Sequence, residues 1–352
     1  MSGPYPWFLL ALLAITFPIM GRSFYTRKNI PGVLLTLAIG VPMWLLGRTV
    51  PIAGGAVFGI LAGILVAALK RPPAVFEPGI KAASKKILQA AIVLFGFEMN
   101  LRRVVEVGGQ SLILMLFTIS AALLTAWFVS RLLGMEEKTS TLVGVGTAIC
   151  GGSAIAATAP AIGARDDQVA TAISTIFFYN VLAVFIFPPL GRLLGMGQMG
   201  FGMWAGTAIN DTSSVVAAAF SYGDEAGNLA TIVKLTRTLM IIPITFVLAL
   251  RTGKRERSEG SAFDFARIFP WFVLGFVAAC VVNTAGVLPS GAARFFGSTG
   301  KFLVVVAMTA IGLGTDLRQL LAKCRESLLL GGICWLVVAV TSLVVQYATG
   351  LL

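Results

Sequence analysis

Apolar runs long enough to cross a bilayer follow one another along almost the whole of this chain. That recurrence limits the fold more than any single motif does. A hydrocarbon core about 30 Å thick takes roughly 20 apolar helical residues to span, and a helix satisfies its own backbone there. Apolar segments fall at 6–20, 31–47, 53–69, 87–101, 111–130, 139–165, 170–190, 199–222, 229–250, 269–286, 301–315 and 327–350. The loops between them are short, the longest being 70–86 and 251–268. The expected fold is an all-α polytopic membrane protein with about 10–12 membrane segments. It forms one integral membrane domain over 1–352, with no soluble appendage. Composition agrees: 57% of the 352 residues are hydrophobic and 12% are charged, against about 25% charged in a soluble domain.

The charges set an orientation. Net charge is +12, which in a soluble protein would suggest nucleic acid. Here eighteen basic residues gather in loops 21–30, 70–86, 131–138, 251–268 and 316–326. The alternate loops hold few, mainly Arg48, Arg102, Arg103 and Arg294. Lys and Arg collect in cytoplasmic loops, so the rich set is expected inside and both termini outside, with no nucleic-acid partner. The opening stretch MSGPYPWFLLALLAITFPIM has no basic n-region and reads as a first membrane segment rather than a cleaved signal.

Several chemistries are disfavoured by residue type. The chain has no His, so Ser-His-Asp catalysis and His-ligated metal are not expected. Cys150, Cys280, Cys324 and Cys334 have no paired spacing, which disfavours a disulfide framework or a zinc site. No GxxxxGK[ST] phosphate loop is present. The expectation is a protein that is not an enzyme, needs no cofactor, and runs on a gradient of H⁺ or Na⁺ if it transports.

Two internal echoes stand out. "GFEMNLRRVVEVGGQSLIL" from Gly96 aligns without gaps on "GLGTDLRQLLAKCRESLLL" from Gly312, a shift of 216. By the charge count these copies face opposite sides, as inverted-topology repeats do. The second echo pairs "GTAICGGSAIAA" from Gly146 with "GTAINDTSSVVAA" from Gly206. Two crossing segments there would run the same way, because one crossing segment lies between them. Two re-entrant hairpins would enter from opposite faces with their tips meeting. Two broken but crossing helices are the alternative. Irregular backbone at that depth needs protein or a water-filled cavity around it, and Cys150, Gly151, Gly152 and Ser153 have the flexibility to unwind.

The second copy carries Asn210, Asp211, Thr212, Ser213 and Ser214 inside an apolar segment. A carboxylate at the bilayer centre costs about 2.5–3.5 kcal/mol on insertion scales and is a functional candidate by default. Thr207 and Ser214 also fit simple backbone bonding, which is common in membrane helices. Lys234 and Arg237, three residues apart in "ATIVKLTRTLMIIP", share one helix face. Lys234 is near enough to the segment's end to snorkel. Arg237 is expected to bind an oxyanion with its planar fork or to pair with Asp211. Thr147, Tyr179, Asn180 and Glu98 form a weaker set, Tyr179 fitting equally a packed tyrosine with one hydrogen bond. Asn100 and Asp316 fit helix ends, and Ala164–Asp167 fits a solvated loop.

"LFGFEMNLRRV" followed by "GTAICGGSAIAATAPAIGARDDQVATAIS" and "GTAINDTSSVVAAAF" resembles the YeiH-like sulfate exporter family of bacterial inner-membrane proteins, over nearly the whole chain. The order of segments is more distantly similar to bile-acid/sodium symporters and the wider superfamily of cation–proton antiporters. The resemblance implies a core subdomain, here about 82–250 and 298–350, moving elevator-like against a scaffold subdomain, often in a homodimer. It implies a secondary transporter for a small anion such as sulfate, sulfite or an organic sulfonate. On that reading residues 150–153, 210, 212–214, 234 and 237 bind the substrate, and Asp211 carries the coupling ion. A cation–proton antiporter or sodium-coupled organic acid symporter on the same fold is the alternative.

Overall fold

The computed structural model describes residues 24–49, 54–241, 243–244, 247–248, 271–315 and 325–351. The apolar segment at 6–20, the loop 251–268 and Asp316 lie outside these residues. Every regular element among the described residues is helical. Among the described residues, five helices are long and apolar enough to cross a membrane, and two more are apolar but shorter. The chain divides into two compact units: 1–106, 220–222 and 271–317 form the first, and 107–219, 223–270 and 318–352 the second. This division differs in its boundaries from a core at 82–250 and 298–350.

In the first unit, α1 (Ile30–Thr49) and α2 (Gly54–Leu69) precede α3 (Glu77–Ala82). A π-helical turn, Ala83–Ile87, joins α3 to α4 (Leu88–Gly96). Later in the chain come α12 (Trp271–Thr284) and α13 (Ser290–Leu313). Apolar faces do not drive helices together inside lipid, so close backbone approach has to. Gly55, Gly59 and Gly63 recur every four residues along α2 and turn that stripe toward α13. A Cβ on Gly63 would lie 2.4 Å from the Thr309 carbonyl, and one on Gly312 would lie 2.3 Å from that of Ile60. Ile80, Ala83, Ile87 and Ala90 then pack with Val306, Ala307, Ala310 and Leu313.

Two loops are shorter than hydropathy suggested. The stretch 70–86 becomes helical at Glu77, because Pro78 is tolerated in a first turn. The fifth segment, expected at 111–130, runs from Leu101 to Leu132 as α5. Asn100 Oδ1 accepts the Arg102 N–H and starts this helix, as expected of a helix-end residue. Hydropathy detects only the apolar part of a helix and misses its polar first three turns.

The second unit holds most of α5, then α6 (Glu137–Ala148), α7 (Gly152–Ala161), α8 (Asp166–Leu193), α9 (Gln198–Ala208), all but the last three residues of α10 (Thr212–Tyr222), α11 (Asp224–Leu239) and α14 (Arg325–Thr349). The segments 139–165 and 199–222 are each two short helices with a break, at 149–151 and 209–211.

The bases of these pairs decide between hairpin and crossing. Lys138 Nζ, at the start of α6, donates to the Gly163 carbonyl just past the end of α7 at 2.9 Å. Glu136 accepts from Gln168 at 2.7 Å and from Arg165. Two helices of 12 and 10 residues laid end to end would separate these groups by roughly 30 Å. They are bonded, so α6–α7 is a hairpin. In the second pair, Gln198 Oε1 at the start of α9 accepts the Glu225 and Ala226 N–H groups, just past the end of α10, at 3.0 and 3.2 Å. So α9–α10 is a hairpin too. Between the two bases runs α8, 28 residues and about 42 Å long. The hairpins therefore enter from its opposite ends.

Candidate functional site

The two tips meet halfway along α8. Asn180, the fifteenth residue of that helix, accepts the Asp211 N–H at 3.1 Å. A Cβ on Gly151 would sit 3.6 Å from both Asn180 Nδ2 and Asp211 Cβ. Gly151 has φ +72°, a conformation L-residues with a Cβ rarely adopt. Its glycine is what lets the first tip reverse beside the second. The repeated phrases thus occupy equivalent places: each "GTAI" ends an ingoing helix, and the residues after it start the returning one.

Four helix ends converge here. The ingoing helices α6 and α9 arrive with unsatisfied carbonyls and partial negative charge, and the returning helices α7 and α10 start with free N–H groups and partial positive charge. Lys234 and Arg237, both fully buried on α11, serve the carbonyl ends. Lys234 Nζ donates to the Ile149 carbonyl at 2.8 Å and to the Ile209 carbonyl at 2.9 Å. Arg237 donates from Nε to Ala148 at 2.7 Å and from Nη2 to Thr147 at 3.0 Å. Its Nη1 donates to the Thr207 carbonyl. Each cation therefore bridges both tips. Close glycine contacts bring α11 there: a Cβ on Gly202 or Gly206 would strike the Ala226 or Ala230 carbonyl at 3.0 Å.

This geometry corrects two expectations. Lys234 does not snorkel, because its ammonium is enclosed between the tips. Arg237 does not pair with Asp211, which forms no ion pair among the described residues. Spacing placed both cations on one face correctly, but it carried no sign that the face meets carbonyl ends.

The N–H ends are treated unequally. Asp211 caps α10: its Oδ2 accepts the Ser213 N–H at 2.9 Å and also the Ser213 hydroxyl. Its Oδ1 has no hydrogen bond among the described residues. The start of α7 has no side-chain cap. Its first helical bond joins the Ile155 N–H to the Gly151 carbonyl, which leaves the Gly152, Ser153 and Ala154 N–H groups outside the ladder, the Ala154 N–H meeting the Cys150 sulfur. A Cβ on Gly152 would meet nothing within 4 Å, and Ser153 is exposed. Asn210 is only 1% exposed, yet among the described residues neither its Oδ1 nor its Nδ2 has a partner. A buried amide without partners is rare in a folded chain.

The other candidates divide. Thr147 and Thr207 spend their hydroxyls on the carbonyls of Val143 and Met203 in their own helices. Thr207 also meets the Ser342 hydroxyl at 2.7 Å, and Ser342 accepts from Gln346, so a buried polar row links α9 to α14. Sequence reasoning passed over Ser342 and Gln346, two polar residues in an otherwise apolar helix. Tyr179 is a packed tyrosine whose hydroxyl donates to the Leu328 carbonyl at 2.6 Å. Cys150, Thr212 and Ser214 are buried at the tips. Glu98 belongs to the first unit, where its carboxylate lies against Gly297.

Outside the membrane segments, the hairpin base carries shifted groups. The hydrogen bond from Gln168, then Arg165, holds the Glu136 carboxyl below its usual range. Arg165 likewise lowers Asp167.

A family model described as conserved hypothetical protein 698 matches residues 31–331. UPF0324 membrane protein FN0533 of Fusobacterium nucleatum is 42% identical over 345 residues, covering 92% of this chain and 99% of that protein. UPF0324 membrane protein SAG1125 of Streptococcus agalactiae is 45% identical, covering 92% and 98%. M6_Spy0799 of Streptococcus pyogenes is 46% identical, covering 94% and 99%. The chain belongs to this family of multi-pass membrane proteins. The relatives' names give no substrate.

Proposed function

We propose that this member of the family is a secondary transporter of a small anion, such as sulfate, sulfite or an organic sulfonate. The observation that carries the reading is the meeting of two hairpin tips, entered from opposite ends, at the middle of a membrane-length helix. Discontinuous helices whose ends face each other at mid-depth are how many transporters build a site open to either side in turn. The uncapped start of α7 supplies the attraction for an anion, with Ser153, Asn210, Thr212 and Ser214 beside it. Lys234 and Arg237 hold the frame from behind. Asp211 carries the coupling H⁺ or Na⁺. On this reading the chain is no enzyme, its movement is elevator-like, and it works as a homodimer in a bacterial inner membrane with both termini outside. The two echoes make it an inverted-repeat protein.

Asp211, as the acid at the meeting point, favours one other reading, a cation–proton antiporter. Proteoliposomes separate the two. Counterflow of labelled sulfate, sulfite and sulfonates is expected, abolished by Asp211→Asn in protein that still inserts. A Na⁺-driven change of internal pH with no anion counterflow would reject the anion reading in favour of the antiporter.

A further inference from the structure

Two acceptors at the second tip, Asp211 Oδ1 and Asn210 Oδ1, have no hydrogen bond among the described residues, and a bare oxyanion has no donor to offer either of them. We propose that the ligand has an oxyanion at one end and a hydrogen-bond donor, ammonium or hydroxyl, at the other. This rests on the anion-transport reading and narrows its substrate class.

The oxyanion end belongs at the start of α7. The Gly152 and Ser153 N–H groups there are outside the helical ladder, and the N-cap residue Gly151 has no side chain to cap them, while α7 is ten residues long. The donor end belongs at Asp211. An ionised carboxylate only accepts hydrogen bonds, and Oδ2 is already committed to Ser213. Oδ1 would repel a ligand made only of acceptors and would bind one with a donor. The two subsites are neighbours, because a Cβ on Gly151, the residue before α7, would be 3.6 Å from Asp211 Cβ. Asn210 adds an independent observation. Its buried amide, preceding Asp211 in the tip, offers a donor and an acceptor together, and a ligand with both satisfies both.

Sulfonates test this cleanly because their charge is fixed across ordinary pH. Purified full-length protein in lipid nanodiscs is titrated with ethanesulfonate, 2-hydroxyethanesulfonate, 2-aminoethanesulfonate and sulfate, in sodium and in choline buffer. The two donor-bearing sulfonates should bind about tenfold or more tighter than ethanesulfonate, the size of one hydrogen bond to a charged group, and sulfate, which offers no donor, should bind no tighter than ethanesulfonate. Asp211→Asn is the decisive variant. Asn caps a helix as well as Asp does, so the protein should keep its unfolding midpoint. With its Oδ1 on Ser213, its Nδ2 would face the ligand's donor, and the preference over ethanesulfonate should fall to about one or reverse. Ethanesulfonate or sulfate binding as tightly as the donor-bearing pair would overturn the donor requirement and leave the anion reading standing. So would a preference that survives Asp211→Asn, or sulfate binding that appears only with sodium. If none of the four binds, both readings fall.

Discussion

Removing the Arg237 side chain should unfasten the hairpin tips. The guanidinium makes three hydrogen bonds to main-chain carbonyls, two on the first ingoing helix and one on the second. A hydrogen bond involving a charged group contributes about 1.5–3 kcal/mol, and leaving a buried acceptor unmet adds cost. Bonds that share one donor group are not additive, so about 3 kcal/mol is a conservative figure for Arg237→Ala, built from those same values. The loss should appear as local opening, because α8 and α14 do not depend on this contact. Cys150 reports it. It is buried at the first tip and reacts with a thiol reagent only when the tip opens. With opening fast relative to labelling, 3 kcal/mol corresponds to a rate increase of about 150-fold. The assay uses a membrane-permeant maleimide on protein whose Cys280, Cys324 and Cys334 are replaced by Ala. Arg237→Lys serves as a control: an ammonium cannot fork across carbonyls on two helices, so it should rescue only part of the protection. A labelling rate for Arg237→Ala within a few-fold of the parent would refute the fastening role.

Three further outcomes follow from the same physics. Asn210→Ala should leave the unfolding midpoint unchanged or slightly raised, since neither amide atom has a partner to lose, while anion counterflow in proteoliposomes is lost. Gly63→Ala should destabilise by about 2 kcal/mol or more, because its Cβ would meet backbone on α13. Gly109→Ala, with nothing within 4 Å, should be neutral or stabilising by up to about 1 kcal/mol, both read by detergent unfolding. The third concerns the base of the first hairpin. Glu136 has a lowered pKa when folded, so its contribution is present above the ordinary value of 4.5 and is lost as pH falls below it. Spin labels replacing Ser140 and Gly163 should separate on acidification, and Glu136→Gln should remove that pH dependence.

The sequence made the outline legible because small residues and polar runs are rare in apolar segments. The twin "GTAI" phrases marked both tips, and parity required opposite entry if they were hairpins. Length alone did not choose, since 24–27 residues can cross once or turn back. The choice is made at the bases, by Lys138 with Gly163 and by Gln198 with Glu225. Those residues look like ordinary loop residues in the sequence, because their pairing depends on where α6 and α10 begin and end. The cations were found but not their targets. Main-chain carbonyls carry no letter in a sequence, so a side chain that serves them looks free for a ligand.

That choice of target has a consequence for how such proteins diverge. Lys234 and Arg237 hold oxygens that every amino acid possesses, at positions 147, 148, 149, 207 and 209. Exchanging the side chains at those positions leaves the acceptor oxygens in place, whereas Gly151 and Gly206 beside them are held to glycine by backbone conformation and close contact. A lineage can therefore retune what the tips recognise at the positions outside those glycines, while the frame that presents them stays the same.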